Sequence, residues 1–305
     1  MIDIFVKNET GFLESVVLGI AESQGPIPSP EEAYDPKSKL FIERGEYPVE
    51  SDMIKEMSGF ERVLKKYNVR VYRPTNLSDV NQVFSRDISF VVDNKLVIPN
   101  ILEDRKRELE AISSILGQID DSMILEMPDG CRAEGGDVMP WNEMLFIGYS
   151  EKTDFLNYVT ARTNRAGVDF MRENFRNRDV RAFELVKSDT DPLKNALHLD
   201  CCFQPIGTHQ AILYPGGFKN ASDVDFLRNY FGRDNIIEIT AKEMFLMFSN
   251  IFSISPEVIV SEKNFTRLNN ELRSLGFTVE EIPYAEISKQ EGLLRCSTMP
   301  LKRKL

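Results

Sequence analysis

Histidine is nearly missing from this chain: His198 and His209 are the only two in 305 residues. No His-x-x-x-His spacing and no Cys-x-x-Cys pair occurs, so the usual ligand patterns of a zinc site are absent. Cysteine is almost as sparse. Its four residues, two of them adjacent at Cys201 and Cys202, are too few to staple a chain of this size with disulfides. Free thiols survive in a reducing compartment, so the expected location is cytoplasmic. No apolar run approaches the length of a membrane span. Met1 to Glu9 carries acids early and lacks the apolar core of a secretory signal. Positive charge is also in deficit: Lys+Arg 37 against Asp+Glu 48, a net charge of -11. A binder of nucleic-acid phosphates usually shows the opposite balance. Nucleic acid and membrane are thereby set aside as partners, a small cationic substrate is not repelled, and a homo-oligomer is left open.

What remains is the profile of a globular protein with a sizeable core, 42% hydrophobic and 28% charged. No linker divides the chain, so one catalytic domain over 1–305 is expected. Short β-rich runs alternate with helical stretches. Ser15 to Ile20 reads as a strand, Asp52 to Lys66 as a helix, and Val69 to Arg73 as a strand stopped by Pro74. Ile88 to Pro99 reads as two strands about a turn at Asp93-Asn94, with helix from Leu102 to Leu116. The same order returns around Gly136, Ala196 and Ala241, as if a ββαβ unit recurred. Between them Gly25 to Ser51 forms a polar segment too long for a turn, a length typical of lids and binding loops.

Four short clusters carry chemistry. Cys296, in Gly292-Leu293-Leu294-Arg295-Cys296-Ser297, stands beside a cation, which favours the nucleophilic thiolate. His198 and Asp200 read as alternate residues of a strand and would share a face. A carboxylate there would hold the imidazole proton and make an acid/base group. Glu134-Gly135-Gly136-Asp137 suggests a tight backbone bend, and Arg86-Asp87 an ion pair ahead of a strand. Taken singly these read as well as a core histidine, a solvated turn and a surface salt bridge. The run Glu103 to Glu108 reads as a solvated helix face, and Cys131, Cys201 and Cys202 as structural thiols.

Taken together and in this order, Arg86-Asp87, Glu134-Gly135-Gly136-Asp137, His198-Leu199-Asp200 and Arg295-Cys296 resemble the guanidino-group-modifying superfamily of arginine deiminases, dimethylargininases and amidinotransferases. Ala161-Arg162-Thr163-Asn164 adds a further match. The resemblance implies an α/β pentein fold, five ββαβ units about a pseudo-fivefold axis, with neither metal nor cofactor. It implies Cys296 as nucleophile, His198 as acid and base, and Glu134 as guanidinium ligand and proton partner. Asp87 and Asp200 would grip the guanidinium, and Arg162 the substrate carboxylate, with Lys152 a competitor for that role. The implied reaction is hydrolysis of a C–N bond in arginine or a related guanidino compound through an S-alkylthiouronium intermediate. Glutamate before Gly-Gly and the ending Arg-Cys-Ser-Thr-Met-Pro favour hydrolysis. The alternatives are an amidinotransferase, which admits an amine instead of water, and a silent relative that only binds guanidines. A cysteine peptidase finds no local signature here.

Overall fold

The computed structural model describes residues 1–304. It holds five sheets of three strands each, and every sheet is wired the same way. In the second sheet β3 (Phe90–Val92) and β4 (Lys95–Ile98) form an antiparallel hairpin, and a helical stretch then returns the chain to β5 (Ile124–Glu126), parallel to β4. The third repeats this with β6 (Val138–Trp141), β7 (Met144–Tyr149) and β8 (Asp179–Glu184). The fourth uses β9 (Phe203–Ile206), β10 (Gln210–Leu213) and β11 (Ile236–Glu238), and the fifth β12 (Phe252–Ser255), β13 (Val258–Glu262) and β14 (Thr278–Ile282). The first sheet closes the ring: β1 (Phe12–Leu18) runs parallel to β2 (Arg70–Tyr72), while its antiparallel partner is the last strand, β15 (Thr298–Lys304). Five ββαβ units are therefore present, as the sequence pattern and its resemblance imply.

The elements follow from their residues. β7 is apolar and buried along its whole length because helices and neighbouring sheets cover both faces. In the helix α2 (Glu50–Lys66) the buried Met53, Met57, Phe60 and Leu64 recur at helical spacing. Phe60 meets the rings of Phe252 and Tyr284 edge-on at 5.7 and 5.8 Å. Acids in its first turn and lysines in its last oppose the helix dipole.

Three expectations need correction. The long polar segment from Gly25 is not a plain loop, because it contains the helix α1 (Pro36–Glu43), which Asp35 caps by accepting from the Ser38 N–H at 2.6 Å. His198 and Asp200 do not lie in a strand; a 3₁₀ turn at Leu199–Cys201 precedes β9. The run around Glu103 is not wholly solvated, since Arg105 and Glu108 are buried. Among the described residues, no helix is long and apolar enough to cross a membrane.

Candidate active site

Each of the five units ends a loop at the ring's centre, a few residues ahead of its first strand. Asp87 stands in the short helix α3 (Ser85–Ile88) before β3, Glu134 before β6, His198 before β9, Asn250 before β12 and Cys296 before β15. Repetition of the unit is what gathers these residues, distant in sequence, about one axis. Glycine makes the approach feasible. A Cβ on Gly136 would lie 2.6 Å from the His198 ring, and one on Gly135 would lie 2.1 Å from the Arg86 carbonyl oxygen.

His198 is 1% exposed, and its Nε2 is 2.8 Å from Glu134 Oε2; Nδ1 is 3.7 Å from Asp87 Oδ1. Burial alone would push the imidazole down, but Asp87, Glu134 and Asp137 outweigh it and raise the pKa to about 9. Burial would raise the Glu134 carboxyl, yet Arg162, His198 and Arg105 together hold it far below the usual carboxylate range. The pair is thus an imidazolium–carboxylate ion pair at neutral pH. Asp137 staples the two turns that carry it. Its Oδ1 accepts from the Leu199 N–H at 2.9 Å and its Oδ2 from the Thr163 hydroxyl at 2.6 Å, while that hydroxyl accepts from the Glu134 N–H at 3.2 Å.

Cys296 lines one cavity with Asp87 and His198 and is 3% exposed. Burial, then the carboxylates of Asp200 and Asp87, push its thiol well above the ordinary range. The neighbouring cation does not relieve this. Arg295 is no surface charge; its buried side chain turns to Asp200 at 2.8 Å and Glu9 at 3.1 Å. The expectation that Arg295 activates the thiol from the adjacent position is therefore corrected. Asn250 holds the Cys296 segment instead: its Oδ1 accepts from the backbone N–H groups of Cys296 and Leu293 at 3.1 and 3.2 Å, and its Nδ2 lies 3.1 Å from the sulfur.

The two proposed gripping aspartates part company. Asp87 lines the cavity, and its Oδ1, though buried, has no hydrogen-bond partner among the described residues. Asp200 is fully buried behind the sulfur, 3.4 Å from it and tied to Arg295, so it supports Cys296 rather than facing the cavity. Arg162 does line the cavity, donating to Glu134 at 3.4 Å and to the Tyr34 carbonyl of the Gly25–Ser51 segment at 3.0 Å. Lys152 is exposed and does not line it. Cys201 and Cys202 are buried outside it and His209 is exposed.

Sequence reasoning missed Asn250 and the pair Arg105–Glu108. Arg105 grips Glu108 with two nitrogens at 2.7 and 2.9 Å and reaches Asp87 at 3.1 Å, all inside the cavity. The signal available was an i, i+3 pair, which exposed helices use freely. Asp87, Glu134 and His198 also bring one donor atom each within 4.8 Å of one another. Arg105 and Arg162 already stand 3.7 and 3.4 Å from Glu134, so the set reads as an acid–base cluster balanced by guanidiniums.

A ring of five ββαβ units is the pentein fold of the guanidino-group-modifying superfamily. A family model described as "N,N dimethylarginine dimethylhydrolase, eukaryotic" matches residues 32–303, and the chain belongs to that family. Among curated relatives, it is 28% identical to the uncharacterized protein YkgA of Bacillus subtilis over 79% of this chain and 77% of that one. It is 26% identical to the arginine deiminase of Listeria monocytogenes, covering 73% of this chain and 61% of the deiminase. In fold it resembles the N-terminal domain of ArgZ bound to a reaction intermediate (TM-score 0.78, 16% identity, 95% and 98% of the two chains). It equally resembles the inosamine-phosphate amidinotransferase of Streptomyces griseus (TM-score 0.78, 16% identity, 99% and 97%).

Proposed function

We propose that this enzyme hydrolyses a C–N bond of arginine or a methylated arginine through a covalent thiouronium on Cys296. The observation that carries the reading is the shared cavity of Cys296, His198 and Asp87, with Glu134 hydrogen-bonded to His198 and one Asp87 oxygen unclaimed. That oxygen suits a guanidinium N–H, and a planar cation is well fixed by carboxylates in a fork. Its charge also offsets the carboxylates that oppose the thiolate, so the thiol ionises as substrate arrives. The sulfur then adds to the guanidinium carbon. His198, held as imidazolium, gives its proton to the departing nitrogen and the C–N bond breaks. The neutral imidazole next takes a proton from water. The hydroxide so formed adds to the carbon, and as the C–S bond breaks the hydroxyl proton returns to the sulfur, leaving a ureido product, the released ammonia or amine and the resting thiol. Arg162, a cation at the cavity wall, fits the substrate's carboxylate.

The family description names dimethylarginine and the Listeria relatives are arginine deiminases, which supports both substrate types. The test is incubation with arginine, dimethylarginine and agmatine, followed by mass spectrometry of products and of acid-quenched protein. Citrulline together with ammonia or dimethylamine, and an adduct on the Cys296 peptide, are expected; Cys296→Ser yields neither. Ornithine formed only when an acceptor amine is added would replace hydrolysis by amidino transfer, and full turnover by Cys296→Ser would remove the nucleophile.

A further inference from the structure

Behind Cys296, away from the cavity, lies a dry core of charge. Arg86, Arg295, Arg303, Glu9 and Asp200 are all at most 4% exposed. Arg295 is fully engaged. It holds Glu9 through two nitrogens at 3.1 Å and Asp200 at 2.8 Å, and it donates to the carbonyls of Gly135, Gly136 and Val138. Arg303 donates to the carbonyls of Gly11 and Ser253 at 2.7 and 2.8 Å. Arg86 is left short. Its Nη1 stands 3.9 Å from Glu9, and its Nη2, though buried, has no partner among the described residues. Three guanidiniums thus face two carboxylates that one of them has already claimed, and a buried cation without a counter-ion is strongly disfavoured. Burial, then the repulsion of Arg295, lowers the Arg86 pKa to about 10 against the opposing pull of Glu9, Asp200 and, when ionised, Cys296.

Arg86 also holds the nucleophile's backbone. Its N–H donates to the Cys296 carbonyl at 3.0 Å, and its Nε donates to the Arg295 carbonyl at 3.4 Å. We propose that Arg86 is a positioning residue for the nucleophile, pinning the Arg295–Cys296 segment through both carbonyls and supplying the unmatched charge that makes a Cys296 thiolate attainable among carboxylates. The groups around the sulfur define the balance. Asp200 and Cys201 face it from the Leu199–Cys201 turn, Asp87 from α3, and Asn250 as a neutral donor, while His198 shares the cavity with its own charge paired to Glu134. Arg295, though adjacent, is neutralised by Glu9 and Asp200. Arg86 and Arg303 both lack a carboxylate hydrogen bond, and of the two Arg86 is the one that also holds the Arg295–Cys296 segment.

The inference rests on Cys296 reacting as a thiolate, but its test needs no turnover, so it stands or fails apart from the substrate reading. Alkylation of Cys296 by the uncharged reagent iodoacetamide is followed by peptide mass spectrometry as a function of pH, with circular dichroism confirming the fold. Arg86→Met and Arg86→Gln are expected to move the alkylation profile to higher pH by about one unit or more, a roughly tenfold slower reaction at fixed pH below the midpoint. Arg86→Lys, which keeps the charge, and Arg303→Met, which removes a neighbouring cation without touching the Cys296 segment, are expected to stay within about half a unit of the parent. A folded Arg86→Met or Arg86→Gln with the parent profile overturns the proposal. So does an Arg303→Met profile displaced by a full unit, because the effect would then belong to the core's total charge.

Discussion

Replacing Glu134 by glutamine tests the acid–base reading most directly, because shape is kept and one charge is lost. At 2.8 Å and an effective dielectric of about 20, the attraction between Glu134 and protonated His198 has a ceiling of about 6 kcal/mol before desolvation. Arg162 and Arg105, at 3.4 and 3.7 Å, lose the same partner. Breaking a buried pair from one side typically costs about 3–5 kcal/mol, a large part of a domain's total stability. About 3 kcal/mol of differential attraction corresponds to about two pH units. His198 in the folded protein titrates near 9 against an ordinary 6.5. Its proton therefore contributes stability in full below about 6.5, and that contribution fades as pH rises through about 9. In Glu134→Gln the fading moves to lower pH, and the alkaline limb of kcat/KM, set by loss of the acid that protonates the leaving nitrogen, moves with it toward neutrality. Turnover near neutral pH should fall by about 10²–10⁴. The assay is ureido-product formation and thermal unfolding, each across pH 6 to 10 (approximately the span of the two His198 values). A Glu134→Gln enzyme whose alkaline limb coincides with that of the parent would refute the assignment of His198 as the acid.

Two further outcomes follow from the geometry. Gly136→Ala drives a methyl group to within 2.6 Å of the His198 ring; kcat should drop by about 10²-fold from misplacement of the imidazole, measured by steady-state kinetics alongside Tm. Arg162→Met should raise KM for arginine about tenfold or more by removing a cation from the cavity wall while sparing agmatine, which has no carboxylate; equal losses on both would show that Arg162 serves only to hold Glu134 and the Tyr34 carbonyl.

Much of the fold and of the site was legible along the chain, for a physical reason. Units that repeat a hairpin, a helix and a parallel strand leave the same hydrophobic rhythm five times, and α2 shows its buried face as Met53, Met57, Phe60 and Leu64. Cys296, His198, Glu134 and Asp87 stood out through their order along the chain, which resembles the guanidino-group-modifying superfamily, since singly each read as well as a core or surface feature. Asn250 did not, because an amide preceding a strand is commonplace and its value lies in holding a sulfur 46 residues away. Arg105 and Glu108 looked like solvated helix charges, since local sequence carries no sign of what a distant element will cover. Arg295 misled in the other direction: adjacency in sequence placed its charge beside the thiol, whereas its side chain departs along the core to Glu9. The 3₁₀ turn at Leu199–Cys201 was hidden by an alternation that imitates a strand.

The even division of labour around the ring has one more implication. Since all five units contribute to the cluster, no fragment of the protein holds the whole set, and the arrangement exists only in the closed circle. Parting β1 from β15, the pairing that closes the ring, would carry the Cys296 segment away from the other four units. Reactivity and integrity are thus lost together, and a damaged copy becomes inert instead of indiscriminate.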